Sequence, residues 1–194
     1  MRAPRAGGLA LAKGQSYVSN MRSKLEVAGH ALHPMLIAFP LGLLGTSVVW
    51  DICALATAKP LWGTIAYWTI TAGIISGLVA AIPGFIDWLY IPKRTRARAV
   101  GVYHMLLNVT VLTLFAISLV ARHAAGGGYA QAGFMHMLPG WIGVAVAVVS
   151  AWLGGELVET LGIGVHDDAN PNAPSSLRSG SRHTSRVASG TGHI

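Results

Sequence analysis

Four apolar runs dominate this chain, and each is long enough to cross a bilayer as a helix. They cover residues 34–57, 61–91, 99–120 and 138–161. A helix rises about 1.5 Å per residue, so roughly 20 residues span about 30 Å of hydrocarbon. Lipid offers no water to unpaired backbone groups, which makes helices the structure expected for such runs. The fold class read from the sequence is therefore all-α: a polytopic membrane protein built as an antiparallel four-helix transmembrane bundle. Composition agrees, because 53% of the residues are hydrophobic and only 11% charged, where soluble domains carry about 25% charged. The lipid bilayer is the solvent this chain fits.

The rest of the chain organises around that bundle. Residues 1–29 form a basic arm with Arg2, Arg5, Lys13, Arg22 and Lys24. Residues 6–12 are too short and too glycine-broken for a signal peptide, so the arm is expected to stay cytoplasmic. Residues 30–166 hold the four helices as one domain. Residues 167–194, rich in Ser, Gly, Asn and Pro with scattered Arg, cannot bury enough apolar surface to offset ordering, and disorder is expected there. No internal sequence repeat stands out, only a loose two-hairpin organisation. The second run is over-long and is expected to tilt or to kink at Pro83-Gly84. Gly73-x-x-x-Gly77 and Gly42-x-x-Gly45 are the small-residue contacts through which helices approach in lipid.

Charge placement orients the bundle. Twelve of the 14 Lys and Arg fall in the arm, in the loop holding Lys93, Arg94, Arg96 and Arg98, or in the tail with Arg178, Arg182 and Arg186; only Lys59 and Arg122 fall on the other side. That asymmetry is a positive-inside signal, placing both termini in the cytoplasm and the protein in the bacterial inner membrane. The same segregation favours membrane topology over nucleic-acid binding as the reason for the basic pI. A lone cysteine, Cys53, excludes an intrachain disulfide or a cysteine-based zinc cluster.

Helix alternation brings polar residues from all four runs to the cytoplasmic edge: His33, Asp87, His104 with Asn108 one turn on, and Glu156. Ionisable groups at membrane depth usually face a bundle interior and find partners. Two readings follow. In one, the five form a hydrogen-bonded plug, with Asp87 paired to Arg94, Arg96 or Arg98 and His104 bonded to Asn108 or a carbonyl. In the other, His33, Asp87, His104, Asn108 and Glu156 hold a transition metal, or His33 and His104 hold one haem b as axial ligands. A second haem layer from His123 and His136 fits poorly, because His104 and His123 are about 28 Å apart along a helix. Asp51, beside Trp50, reads as a solvated helix end. Met135-His136-Met137 and His166-Asp167-Asp168 read as interfacial segments. No phosphate loop, nucleophile elbow, zinc-protease helix or dinucleotide fingerprint is present.

Four motifs in order carry a resemblance: His33-Pro-Met-Leu-Ile-Ala-Phe-Pro-Leu-Gly42, Gly84-Phe-Ile-Asp-Trp88, His104-Met-Leu-Leu-Asn108, and Gly154-Gly-Glu-Leu-Val158 with Gly162-Ile-Gly-Val165. Over about residues 30–166 the chain resembles the domain-of-unknown-function family 2231, a group of small bacterial membrane proteins with four helices. Where the family pattern often has His and Tyr, this chain has Ala38 and Glu159. The resemblance implies membrane location and a four-helix architecture. Relatives joined to Rieske-type domains imply an electron-transfer setting, although this chain has no such domain. Three functions are expected in order. The first is a non-enzymatic membrane subunit or accessory protein whose cluster is structural or binds a metal. The second is an oxidoreductase-associated component holding one haem or metal and meeting a redox partner protein. The third is a small transporter acting as a homo-oligomer.

Overall fold

The computed structural model describes residues 22–125, 132–166 and 169–176. Most of the basic arm, the Gly126-Gly-Gly128 loop and most of the tail lie outside them. Two short antiparallel strands, β1 (Glu26–Val27) and β2 (His30–Ala31), precede α1 (Leu32–Leu36), α2 (Ala38–Thr57), α3 (Pro60–Tyr90), α4 (Arg96–Ala124) and α5 (Phe134–Gly155). Four helical stretches are long and apolar enough to cross a membrane: Leu32–Thr57, Pro60–Tyr90, Arg96–Ala124 and Phe134–Thr160. Large apolar side chains such as Val49, Ile75, Leu106 and Val148 point outward, as a lipid-facing surface requires.

Local chemistry sets the helix ends. Pro40 has no N–H for the Leu36 carbonyl, and the helix is interrupted between α1 and α2 at Ile37. Ala58, in a left-handed conformation at φ 54°, ends α2, and Pro60 starts α3 almost at once. This tight turn forces α2 and α3 to run antiparallel. Thr95 caps α4 by accepting the Arg98 N–H, so the helix begins in the basic loop ahead of its apolar run. Arg98 also closes α3: its Nη1 donates to the carbonyls of Trp88, Leu89 and Ile91, while its guanidinium lies 3.7 Å from the Trp88 ring centroid.

Packing is closest within two hairpins, α2 with α3 and α4 with α5, which then meet along a looser seam. At the middle of that seam Leu44, Ile70, Val111 and Phe115 form the buried core. Glycines make the close approaches. A Cβ on Gly73 would meet Leu44 at 2.5 Å and Leu43 at 3.4 Å; one on Gly143 would meet Phe115 at 3.0 Å and Leu114 at 3.5 Å.

These contacts give the two-hairpin organisation a residue-by-residue correspondence. Gly73 with Leu44 and Leu43 in the first hairpin corresponds to Gly143 with Phe115 and Leu114 in the second. Buried Ser47 corresponds to buried Ser118. Asp51 corresponds to Arg122, which lies 71 residues beyond it, and the same offset relates Leu44 to Phe115 and His33 to His104. The two hairpins thus place like residues at like positions in their packing. Apolar side chains substitute for one another so freely that linear sequence hides the correspondence.

Candidate functional site

Two polar layers cross the bundle, near its two ends, and each joins residues 71 positions apart, His33 with His104 and Asp51 with Arg122. His33 stands at the start of α1, against the last third of α3. Its Nδ1 donates to the Ala80 carbonyl at 2.8 Å. The Ala80 carbonyl belongs to the turn that Pro83 crowds, and His33 adds a side-chain donor to it. His104 on α4 repeats the arrangement, its Nδ1 donating to the Ser150 carbonyl at 2.9 Å. Each ring sits over a glycine one turn beyond its acceptor. A Cβ on Gly84 would come within 2.8 Å of the His33 ring, and one on Gly154 within 3.1 Å of the His104 ring.

The two imidazoles meet across the seam with centroids 6.5 Å apart and planes at 85°. A carbonyl can only accept, so both rings carry the proton on Nδ1 and keep a lone pair on Nε2. For His104 that lone pair takes an N–H from Asn108 at 3.1 Å, and the same amide nitrogen also donates to the His104 carbonyl at 2.9 Å.

Asp87 and Glu156 are engaged elsewhere. Asp87 does not pair with Arg94, Arg96 or Arg98 as the plug reading had it. Its carboxylate accepts from Ser23 Oγ at 2.8 and 3.0 Å and from the Lys24 N–H at 2.8 Å. A carboxylate that can take backbone and hydroxyl donors from a segment laid over it has no need of a more distant, flexible arginine. Glu156 begins a π-helical turn (Glu156–Thr160), pairs with Arg96 at 2.6 Å and accepts from Thr160. The five candidate residues therefore divide: His33, His104 and Asn108 share a layer, Asp87 anchors the arm, and Glu156 ties α4 to the end of α5. Among the described residues no group of three or more His, Cys, Asp or Glu side chains is placed to hold a metal ion.

The second layer went unrecognised in the sequence. Asp51 is not a solvated helix end: Asp51 is 1% and Arg122 0% exposed, joined by two hydrogen bonds of 2.7 Å. Trp141 Nε1 donates to Asp51 at 3.1 Å, Arg122 Nε donates to Ser118 Oγ at 3.1 Å, and that hydroxyl donates to the His136 carbonyl at 2.6 Å. The only sequence signal was that Asp51 and Arg122 are acidic and basic residues in otherwise apolar helix ends.

The arm closes the edge beyond the imidazoles. Arg22 forms a bidentate pair with Glu26 at 2.7 Å, and His166 Nε2 reaches the Gly29 carbonyl at 3.1 Å and Glu26 at 3.7 Å. The hydrogen-bonded Arg22 guanidinium holds the Glu26 carboxyl below the usual range, with His166 and His30 adding to it against the upward push of burial. A carboxyl lowered on folding contributes stability above its unfolded pKa and loses it as pH falls through its folded one. Amide protection in residues 25–32 is therefore expected to hold at neutral pH and to decline below the ordinary glutamate range. Hydrogen exchange against pH checks this; a Glu26→Gln variant with the same decline would contradict it.

Four membrane-length helices in two antiparallel hairpins, with His33, His104, Asp51 and Arg122 paired in layers between them, define an integral four-helix membrane bundle. The family described as predicted membrane protein DUF2231 matches residues 29–167, and the chain belongs to it. No curated protein and no solved structure matches the chain.

Proposed function

We propose that this chain is a non-catalytic subunit or accessory protein of the bacterial inner membrane, both termini cytoplasmic, in which the His33, His104 and Asn108 layer locks two hairpins together. One observation carries the reading: each imidazole is fixed by a carbonyl of its own hairpin and meets the other across the seam. Between the two polar layers, Leu44, Ile70, Val111 and Phe115 fill the seam, which speaks against a polar path through a single bundle. A transporter would need an oligomer. Among the described Lys and Arg side chains of that end, Lys59 is then the exposed one, since Arg122 is paired inside, and this adds to the charge asymmetry behind the orientation.

His33→Ala and His104→Ala are each expected to lower stability by about 0.5–1.5 kcal/mol, the net contribution of a typical hydrogen bond, because the Ala80 and Ser150 carbonyls also lie within helices opposite the N–H groups of Gly84 and Gly154. Asp87→Ala should release residues 22–31 to proteolysis while the bundle keeps its unfolding midpoint. Equal loss of bundle stability in Asp87→Ala would count against the division of the cluster. Reporter fusions that put the amino terminus outside would reverse the topology.

A redox role for the same pair, holding one haem b or a metal and passing electrons to a partner protein, is favoured by the 6.5 Å ring separation. A visible spectrum with metal analysis tests it, and a colourless, metal-free preparation that takes up neither haem nor metal would remove it.

A further inference from the structure

We infer that Lys24, Lys93 and Arg94 form a docking surface for an anionic phospholipid headgroup, at the end of the bundle that carries His33 and His104. This goes beyond the accessory role proposed above and does not depend on what the imidazoles do.

The loop between α3 and α4 is held at both ends. Ile91 is buried at its start. Thr95 Oγ at its end donates to the Pro92 carbonyl at 2.8 Å and accepts the Arg98 N–H at 3.2 Å. Arg98 in turn bonds the carbonyls of Trp88, Leu89 and Ile91. Lys93 and Arg94 are left at the tip, both exposed. Arg94 sits at φ 62°, in the left-handed region that glycine enters freely and an arginine only against a steric penalty. Glycine would serve the turn better, so the charge at this position has a use outside the turn.

Unanswered charge shows what that use is. Of the described cations at this end, Arg22 pairs with Glu26, Arg96 pairs with Glu156, and Arg98 is occupied by carbonyls. Lys93 and Arg94 make no hydrogen bond or ion pair among the described residues, and the first turn of α4 holds no acidic residue. The docked arm adds a third cation. Asp87 accepts the Lys24 N–H, and the Lys24 ammonium lies 5.4 Å from the Tyr90 ring centroid, at the end of α3 from which the loop departs.

Placement selects the partner. A loop joining two membrane-crossing helices lies at headgroup depth, where clustered basic residues attract anionic lipid. Leu89 and Tyr90 beside it are half exposed and offer apolar surface to the glycerol and upper acyl chain. An acidic soluble partner would meet the same charges but have no use for that apolar rim.

Delipidated full-length protein in neutral detergent is titrated with phosphatidylglycerol and, separately, with phosphatidylcholine of the same chains. Native mass spectrometry counts the bound lipid, and phosphatidylglycerol should bind in preference. Lys24→Gln, Lys93→Gln and Arg94→Gly should each weaken it roughly fivefold, the factor expected per basic residue near an anionic surface. Lys59→Gln, at the other end of the bundle, should not. Arg94→Gly should keep the wild-type unfolding midpoint without lipid, since relief of the left-handed conformation offsets glycine's extra freedom in the unfolded chain. If its midpoint falls, the two exposed lysine variants decide. Asp87→Ala separates a built surface from net charge. It removes a negative charge, so charge alone predicts tighter binding, whereas release of the arm with Lys24 predicts weaker binding. Equal affinity for the two lipids, unchanged affinity in the tip variants, tighter binding in Asp87→Ala, or displacement by inorganic phosphate would each overturn the proposal.

Discussion

Arg122→Leu is expected to destabilise the bundle by about 3–5 kcal/mol, because it leaves Asp51 as an unpaired buried carboxylate. Asp51→Leu should cost a similar amount by stranding the guanidinium. The double variant Asp51→Leu/Arg122→Leu should be much milder, since removing both charges removes the desolvation penalty with the attraction. Equilibrium unfolding in mixed detergent measures all three, and a double variant as unstable as the sum of the singles would refute the account. The charge swap Asp51→Arg/Arg122→Asp should recover only part of the loss. Trp141 Nε1 donates to position 51 and Ser118 Oγ accepts from position 122, so the surroundings are already polarised one way.

This pair also favours contact of one hairpin with the other over contact between like hairpins. Asp51 and Arg122 meet where the two hairpins face each other, and identical charges there would repel. Asp51 opposite Arg122 favours the first hairpin against the second, while two first hairpins or two second hairpins would bring like charges together without water. Specificity of this kind is the best-attested use of buried charge.

Gly84→Ala is expected to lose about 1–3 kcal/mol by overpacking, and Gly154→Ala less. The added methyl at Gly84 would lie 2.8 Å from both Cε1 and Nδ1 of a ring whose nitrogen is held by the Ala80 carbonyl, whereas at Gly154 the nearest ring atom is 3.1 Å away. His33 cannot turn aside without giving up that bond. In a His33→Ala background the cost of Gly84→Ala should therefore shrink by about 1–2 kcal/mol, a coupling of the size expected between touching residues. Strictly additive losses would show that the glycine serves helix packing generally and not the seating of the imidazole.

Much of the architecture was legible without coordinates, because hydropathy is a local property. Twenty apolar residues in a row cross a bilayer whatever surrounds them, and a two-residue turn makes neighbours antiparallel. The bond between His104 and Asn108 was equally legible, since residues four apart share a helix face. Helix alternation correctly brought His33 and His104 to one end of the bundle.

What the sequence by itself determined, then, is that this chain forms four membrane-crossing helices, which pairs adjoin, and at which end each polar residue lies. Only the tertiary structure decided which of those residues touch. Sharing an edge does not fix a partner, because that depends on the rotation of each helix about its axis, and the apolar patterning here is too uniform to set it. So Asp87 turns to the arm, Glu156 to Arg96, and the imidazoles to each other. Asp51, which read as a solvated helix end, becomes half of a buried pair because the two hairpins bring it face to face with Arg122.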